Sequence, residues 1–147
     1  VVLMGSKIRL GSDEIKFITL FESMTGATVV DCLQLENTVG FLIKKGDMGR
    51  AIGKKGSNIE KVRKTIGKII WVIESDENPK EFIKKLFEPV KINKIQFKET
   101  REERNVLIEV NKRDRRKIIG SEGSRIKIAR QLALRHHKIG DITVQVV

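Results

Sequence analysis

Two tetrapeptides in this 147-residue chain have the residue types to handle phosphate: Gly53-Lys54-Lys55-Gly56 and Gly120-Ser121-Glu122-Gly123, each preceded by Ile and followed by Ser. Glycine lacks a Cβ and tolerates backbone angles other residues avoid, so such a turn lets a phosphate come close to the main chain. A helix that starts directly after it presents free N–H groups and a partial positive charge to the anion. Lys54 and Lys55 add two cations in the first copy, whereas Ser121 and Glu122 place a hydroxyl and an acid at the same positions in the second. The stretch Gly49-Arg50-Ala51-Ile52-Gly53-Lys54 invites comparison with a nucleotide-binding P-loop. It fails on spacing, because three residues rather than four separate its glycines and Lys55 follows where Ser or Thr belongs. No metal-ligand cluster and no nucleophile beside a plausible base accompany the turns, so neither catalysis nor a cofactor is expected.

The two turns lie 67 residues apart, and at that offset Asp47 meets Asp114, Arg50 meets Lys117, Ile59 meets Ile126, Arg63 meets Arg130 and Val39 meets Val106. One module therefore occurs twice, with expected boundaries at 1–74 and 75–147. Helical spacing of Ile15, Ile18, Leu20, Phe21 and Met24 predicts a helix over 12–25, capped by Ser12 or Asp13 and stopped by Gly26. Strands follow at 28–35 and 39–44 around Glu36-Asn37-Thr38. A short helix over 47–52 leads into the glycine turn, and a second over 57–68 begins with Ser57 and Glu60 in capping-box spacing. The continuous apolar run Ile69 to Glu74 reads as a buried strand. The second module repeats the order, with helix 79–87, strands 91–98 and 105–111, helices 114–119 and 124–135, and strand 142–147. The predicted fold is α+β, α-β-β-α-α-β twice, and the four-residue link Ser75-Asp76-Glu77-Asn78 predicts rigid linkage.

Lys and Arg number 30 against 19 acids, a formal +11, which implies a polyanionic partner, nucleic acid first. The 39% hydrophobic content is that of a folded protein. The sole cysteine, Cys32, excludes an intrachain disulfide and suits a buried apolar place in a reducing compartment. No apolar stretch reaches membrane-spanning length, and Val1 to Leu10 is too short and mixed for a signal peptide, so a soluble, cytoplasmic protein is expected; a monomer is expected as well. Tyr is absent and aromatics make up 5%, which argues against recognition by exposed stacking rings. Trp71, within an apolar strand, is explained by packing against the helices. His136 and His137 are adjacent and cannot chelate one metal as an i, i+4 pair would.

A compact unit whose signature is Ile-Gly-x-x-Gly between two helices on a three-stranded sheet, in a basic protein, resembles the KH domain, which clamps about four single-stranded nucleotides. With a helix before the first two strands and a strand last, the order is similar to the type II arrangement. Two such domains in tandem, together with Asp13-Glu14-Ile15, Leu20-Phe21-Glu22 and Thr25-Gly26-Ala27, resemble the archaeal NusA-like transcription factors over essentially the whole chain. The resemblance implies binding of single-stranded RNA and action on nascent transcripts in termination, antitermination or elongation. RNA polymerase or the elongation complex is then a further candidate partner. A KH protein of ribosome assembly or of the small ribosomal subunit would use the same loop chemistry.

Carried onto this sequence, the resemblance assigns Gly53, Gly56, Gly120 and Gly123 to close backbone approach, and Lys54 and Lys55 to phosphates. Ser121 and Glu122 depart from that pattern. Ile52, Ile59, Ile119 and Ile126 would line an apolar groove for bases, while Arg50, Arg63, Lys117, Arg125 and Arg130 would meet the backbone or base edges. Helical spacing equally places Ile59, Val62 and Ile66, with Ile126, Ala129 and Ala133, toward a core. The basic run Lys112, Arg113, Arg115, Arg116, Lys117 is either an RNA-facing surface or a solvated face.

Overall fold

The computed structural model describes residues 11–147, so the expectation about Val1 to Leu10 lies outside the described residues. The chain divides into a first compact unit ending at Asp76 and a second spanning Glu77–Val147. The first contains α1 (Ser12–Thr25), β1 (Val29–Leu35), β2 (Thr38–Ile43), α2 (Met48–Ile52), α3 (Ser57–Ile66) and β3 (Ile69–Glu74). The second contains α4 (Pro79–Leu86), β4 (Ile92–Glu99), β5 (Arg104–Val110), α5 (Arg115–Ile119), α6 (Ser124–His137) and β6 (Ile139–Val146), with a 3-10 turn over Lys112–Asp114 before α5. Each unit is thus α-β-β-α-α-β.

The sheets have the same topology, β1-β2-β3 and β4-β5-β6. In each, the first two strands form an antiparallel hairpin and the third pairs in parallel with the second. A parallel neighbour cannot be reached by a tight turn, and the helix pairs α2/α3 and α5/α6 supply the crossover. In the first unit the helices cover one sheet face, and Phe21, Cys32, Val39, Phe41, Ile43, Ile59, Val62 and Ile70 form the core there. The rings of Phe21 and Phe41 stack at 4.4 Å. Cys32 is fully buried, as its setting in β1 predicts.

Several local readings are corrected. Gly11, not Ser12 or Asp13, precedes the first turn of α1, and no side chain caps it. Ser57 is not a cap either: Gly56, in the left-handed region at φ 75°, feeds straight into α3, so Ser57 is already helical and the Ser57–Glu60 capping box does not form. By contrast Asn78 caps α4, accepting from the N–H groups of Lys80 and Glu81 at 2.9 and 3.1 Å, with Pro79 in the first turn. The apolar run of β3 is not buried throughout. It is an edge strand with Ile69 48% exposed, while the central strand β2 is buried from end to end. Trp71 pairs with Gly40, whereas Ile70 and Val72 pack with the helix-side core. Alternation therefore places Trp71 on the sheet face away from the helices, contrary to expectation. β6 begins three residues before its predicted start, since Ile139 pairs with Arg104 and Asp141 with Asn105, leaving Gly140 as the extra residue of a bulge.

Candidate nucleic-acid interface

Each glycine turn is built by a helix too short to stand alone. α2 ends where the Gly53 N–H donates to the Gly49 carbonyl at 2.9 Å, and α5 ends where Gly120 donates to Arg116 at 2.9 Å. The next residues then pass through three positive-φ positions. In the first turn these are Gly53 (φ 76°, ψ 172°), Lys55 (φ 55°, ψ 30°) and Gly56 (φ 75°, ψ 16°). In the second they are Gly120 (φ 77°, ψ 179°), Glu122 (φ 54°, ψ 28°) and Gly123 (φ 73°, ψ 11°). Backbone bonds from Gly56 to Gly53 and from Gly123 to Gly120, at 3.1 and 3.2 Å, close both turns.

The two glycines of a turn are required for different reasons. A Cβ on Gly53 would lie 2.7 Å from Asn58 Cγ and 2.8 Å from its backbone N, and one on Gly120 would lie 2.5 Å from Arg125 Cβ. The first glycine therefore lets the turn pack on the helix that follows it, and its bare side faces the protein. At Gly56 and Gly123 the nearest atoms to such a Cβ are side-chain carbons at 3.9 and 3.6 Å, so the demand is only for a left-handed angle and the bare side is open.

Asn58 and Arg125 occupy the same place in the repeat and do the same job. Asn58 Nδ2 donates to the Arg50 carbonyl at 2.7 Å, and an Arg125 terminal nitrogen donates to the Lys117 carbonyl at 2.9 Å. The other terminal nitrogen of Arg125 donates to the Glu88 carbonyl at 2.7 Å. Burial pulls the Arg125 guanidinium below the ordinary arginine pKa. Arg125, read from sequence as a contact to RNA, is thus tied to two main-chain carbonyls inside its own unit. Asn58 was missed, although its position five residues after the first glycine, opposite Arg125 in the repeat, was visible.

Lys54, Lys55, Ser121 and Glu122 are exposed at the tips of the turns. Arg50 is exposed and 3.9 Å from Asp47, whose other oxygen accepts the Thr28 N–H at 2.8 Å and so ties the start of α2 to the start of β1. Lys117 and Arg113 each lie 4.0 Å from Asp114. The matched pair Arg63 and Arg130 diverge. Arg63 lies 3.6 Å from Glu60 on its own helix, while Arg130 donates to the Ile142 carbonyl at 3.1 and 3.3 Å and meets Asp141 at 3.3 Å, bracing α6 against β6.

Of the four isoleucines expected in a groove, Ile52 is exposed and Ile119 half-buried, while Ile59 and Ile126 are buried, as the helical spacing of α3 and α6 also predicts. In the second unit Arg115, Ile119, Ile126, Arg130, Thr143 and Val144 line a groove of about 410 Å³ between the α5–α6 pair and the edge strand β6. Val62, Ala129 and Ala133 are in the core. The histidine rings sit beside Phe82, His137 at 4.5 Å and His136 at 6.4 Å between centroids. Among the described residues no group of three or more His, Cys, Asp or Glu could hold a metal ion, and no helix is long and apolar enough to cross a membrane.

The KH-domain family profile matches residues 17–99. The chain is similar to the probable transcription termination protein NusA of Methanococcus vannielii, 38% identical over 94% of this chain and 80% of that protein. It is similar to proteins of the same description from Methanocaldococcus jannaschii, 32% identical over 95% of this chain and 76% of the relative, and from Halobacterium salinarum, 32% identical over 92% and 96%. Among solved structures it resembles the crystal structure of APE1850, with a TM-score of 0.73 and 32% identity, over 92% of this chain and 100% of that one. With its helix-flanked Gly-x-x-Gly turn and these matches along its length, the chain belongs to the KH-domain family and, within it, to the archaeal NusA-like proteins.

Proposed function

We propose that this chain binds single-stranded RNA through two type II KH domains, 1–74 and 75–147, and acts on nascent transcripts as a non-catalytic factor of transcription termination, antitermination or elongation. The observation that carries the reading is the repetition of one left-handed Gly-x-x-Gly turn, with its second glycine open to an approaching backbone, on a chain of net charge +11. The transcription setting is supported by the relatives, which are described as probable transcription termination proteins NusA. The proposed contacts are Gly56, Lys54, Lys55 and Arg50 with Ile52 in the first unit, and Lys117, Ile119, Ile126 and Arg130 in the second. Gly53, Gly120 and Arg125 act by shaping the turns. The protein works as a cytoplasmic monomer, and the short link from β3 to α4 supports joint tumbling of its units, which 15N relaxation would measure.

Binding of single-stranded RNA oligomers over a salt series tests the reading. The logarithm of affinity should fall with the logarithm of salt by roughly 0.7 per phosphate neutralised, with about three to six contacts. Duplex RNA should bind more weakly, because its paired bases cannot enter an apolar groove. Equal affinity for duplex and single strand at moderate salt would leave only an unspecific basic surface.

A further inference from the structure

Set against each other at the 67-residue offset, the segments that lead into the two glycine turns carry the same charge in different places. Residues 45–56 hold four cations and one acid, and residues 112–123 hold five cations and two acids, so each segment is net +3. Lys45 pairs with Lys112 and Arg50 with Lys117. The first unit then adds Lys54 and Lys55 in its turn, where the second has Ser121 and Glu122. The second unit instead adds Arg113, Arg115 and Arg116, where the first has Gly46, Met48 and Gly49. The added cations thus lie one to two helical turns before the first glycine instead of between the two glycines.

The new position is a usable one. Arg113, Arg115 and Arg116 are exposed, and among the described residues Arg115 and Arg116 take part in no ion pair. Arg115 also lines the groove with Ile119, Ile126 and Val144 and with the polar Arg130, Asp141 and Thr143, so one phosphate-binding donor is continuous with a surface on which bases can rest. A guanidinium presents a planar fork that matches two phosphate oxygens at once, which a lysine ammonium cannot do. Glu122, exposed at the tip of the turn, repels a phosphate path over the glycines and favours one along α5.

We propose that the second unit holds the RNA backbone on the arginines of α5 and of the turn before it, Arg113, Arg115 and Arg116, rather than on its Gly-x-x-Gly turn. This rests on the RNA-binding reading above. An acidic protein surface is the competing occupant. RNA is favoured because Arg115 opens onto a groove that sets Ile119, Ile126, Val144 and Val146 beside the hydrogen-bonding Arg130, Asp141 and Thr143, a mixed lining that suits bases.

The test uses the full chain, its triple variant Arg113→Ala, Arg115→Ala, Arg116→Ala, and the charge-keeping triple Lys variant, with a degenerate single-stranded RNA octamer as probe. The Ala variant should bind at least tenfold more weakly, with a salt slope reduced by roughly two, about 0.7 for each lost contact. The Lys variant should recover most of the slope. Backbone amide shifts on RNA addition should appear at Ile119, Ile126 and Thr143 in the parent and vanish in the Ala variant, while those at Lys54 and Lys55 persist in both. Shifts confined to Lys54 and Lys55 in the parent would overturn the inference and leave the RNA-binding reading standing. No shift in either unit would overturn both. An Ala variant that keeps its RNA affinity but no longer captures purified RNA polymerase would also overturn it, in favour of a protein-docking surface.

Discussion

The turn at Gly53 and the turn at Gly120 agree within a few degrees at the three positive-φ positions they share, yet one presents Lys-Lys and the other Ser-Glu. Backbone shape and chemistry are therefore set by different residues. Gly53 and Gly120 shape the turn by admitting the helix behind them, and Asn58 and Arg125 hold it by bonding the carbonyl of the preceding short helix. The two residues between the glycines contribute only their main chain to that scaffold, and their side chains differ in charge between the turns. Hence the geometry of such a turn does not by itself locate the phosphate. The surrounding cations must be read with it.

The sharpest test of a shared scaffold is the first glycine. Gly53→Ala and Gly120→Ala should each destabilise folding by about 2–3 kcal/mol, since each places a Cβ against backbone at a dihedral open almost only to glycine. Gly56→Ala, which meets only the left-handed penalty, should cost about 1 kcal/mol. Urea titration of the three variants measures this. A marked inequality between Gly53→Ala and Gly120→Ala would break the equivalence of the turns. The next effect separates their chemistry. Lys54→Asp with Lys55→Asp should weaken RNA binding at least tenfold, about 1.4 kcal/mol, and lower the salt slope by roughly one to two contacts. Stability should change by less than about 0.5 kcal/mol, because both side chains are exposed and Asp tolerates the left-handed angle of Lys55 at least as well as Lys does. The smallest effect belongs to Glu122→Lys. Removing one anion beside a phosphate path should leave affinity unchanged or raise it by about threefold, some 0.7 kcal/mol at most. Loss of binding in that variant alone, with the Lys54 and Lys55 reversal silent, would make the second turn the principal clamp and invert the comparison.

Much of the fold was legible because its signals are local. The limits of α1 and β3 follow from apolar spacing and from Gly26 and Gly67, and the element order of both units follows from the repeat. The misreadings share one cause. Ser57 with Glu60 has the spacing of a capping box, but a cap needs its residue outside the helix in extended geometry, and the left-handed Gly56 puts Ser57 inside. The apolar run Ile69 to Glu74 looks like a central strand, but strand order places it at an edge. Arg125 is a different case: its charge marks it for RNA, and its bonds to the carbonyls of Lys117 and Glu88, the latter 37 residues away in sequence, are contacts that local sequence does not show.

Composition and periodicity alone determined a basic, duplicated α+β chain with two glycine turns between helices, because helical spacing, strand alternation and glycine's freedom are properties of neighbouring residues. Which glycine faces inward, which isoleucine stays exposed, which arginine is tied to main chain and which is left in solvent were decided only by tertiary structure. Those outcomes depend on what distant segments bring to each side chain, and a parallel strand pairing or a carbonyl offered by another loop leaves no mark in local sequence.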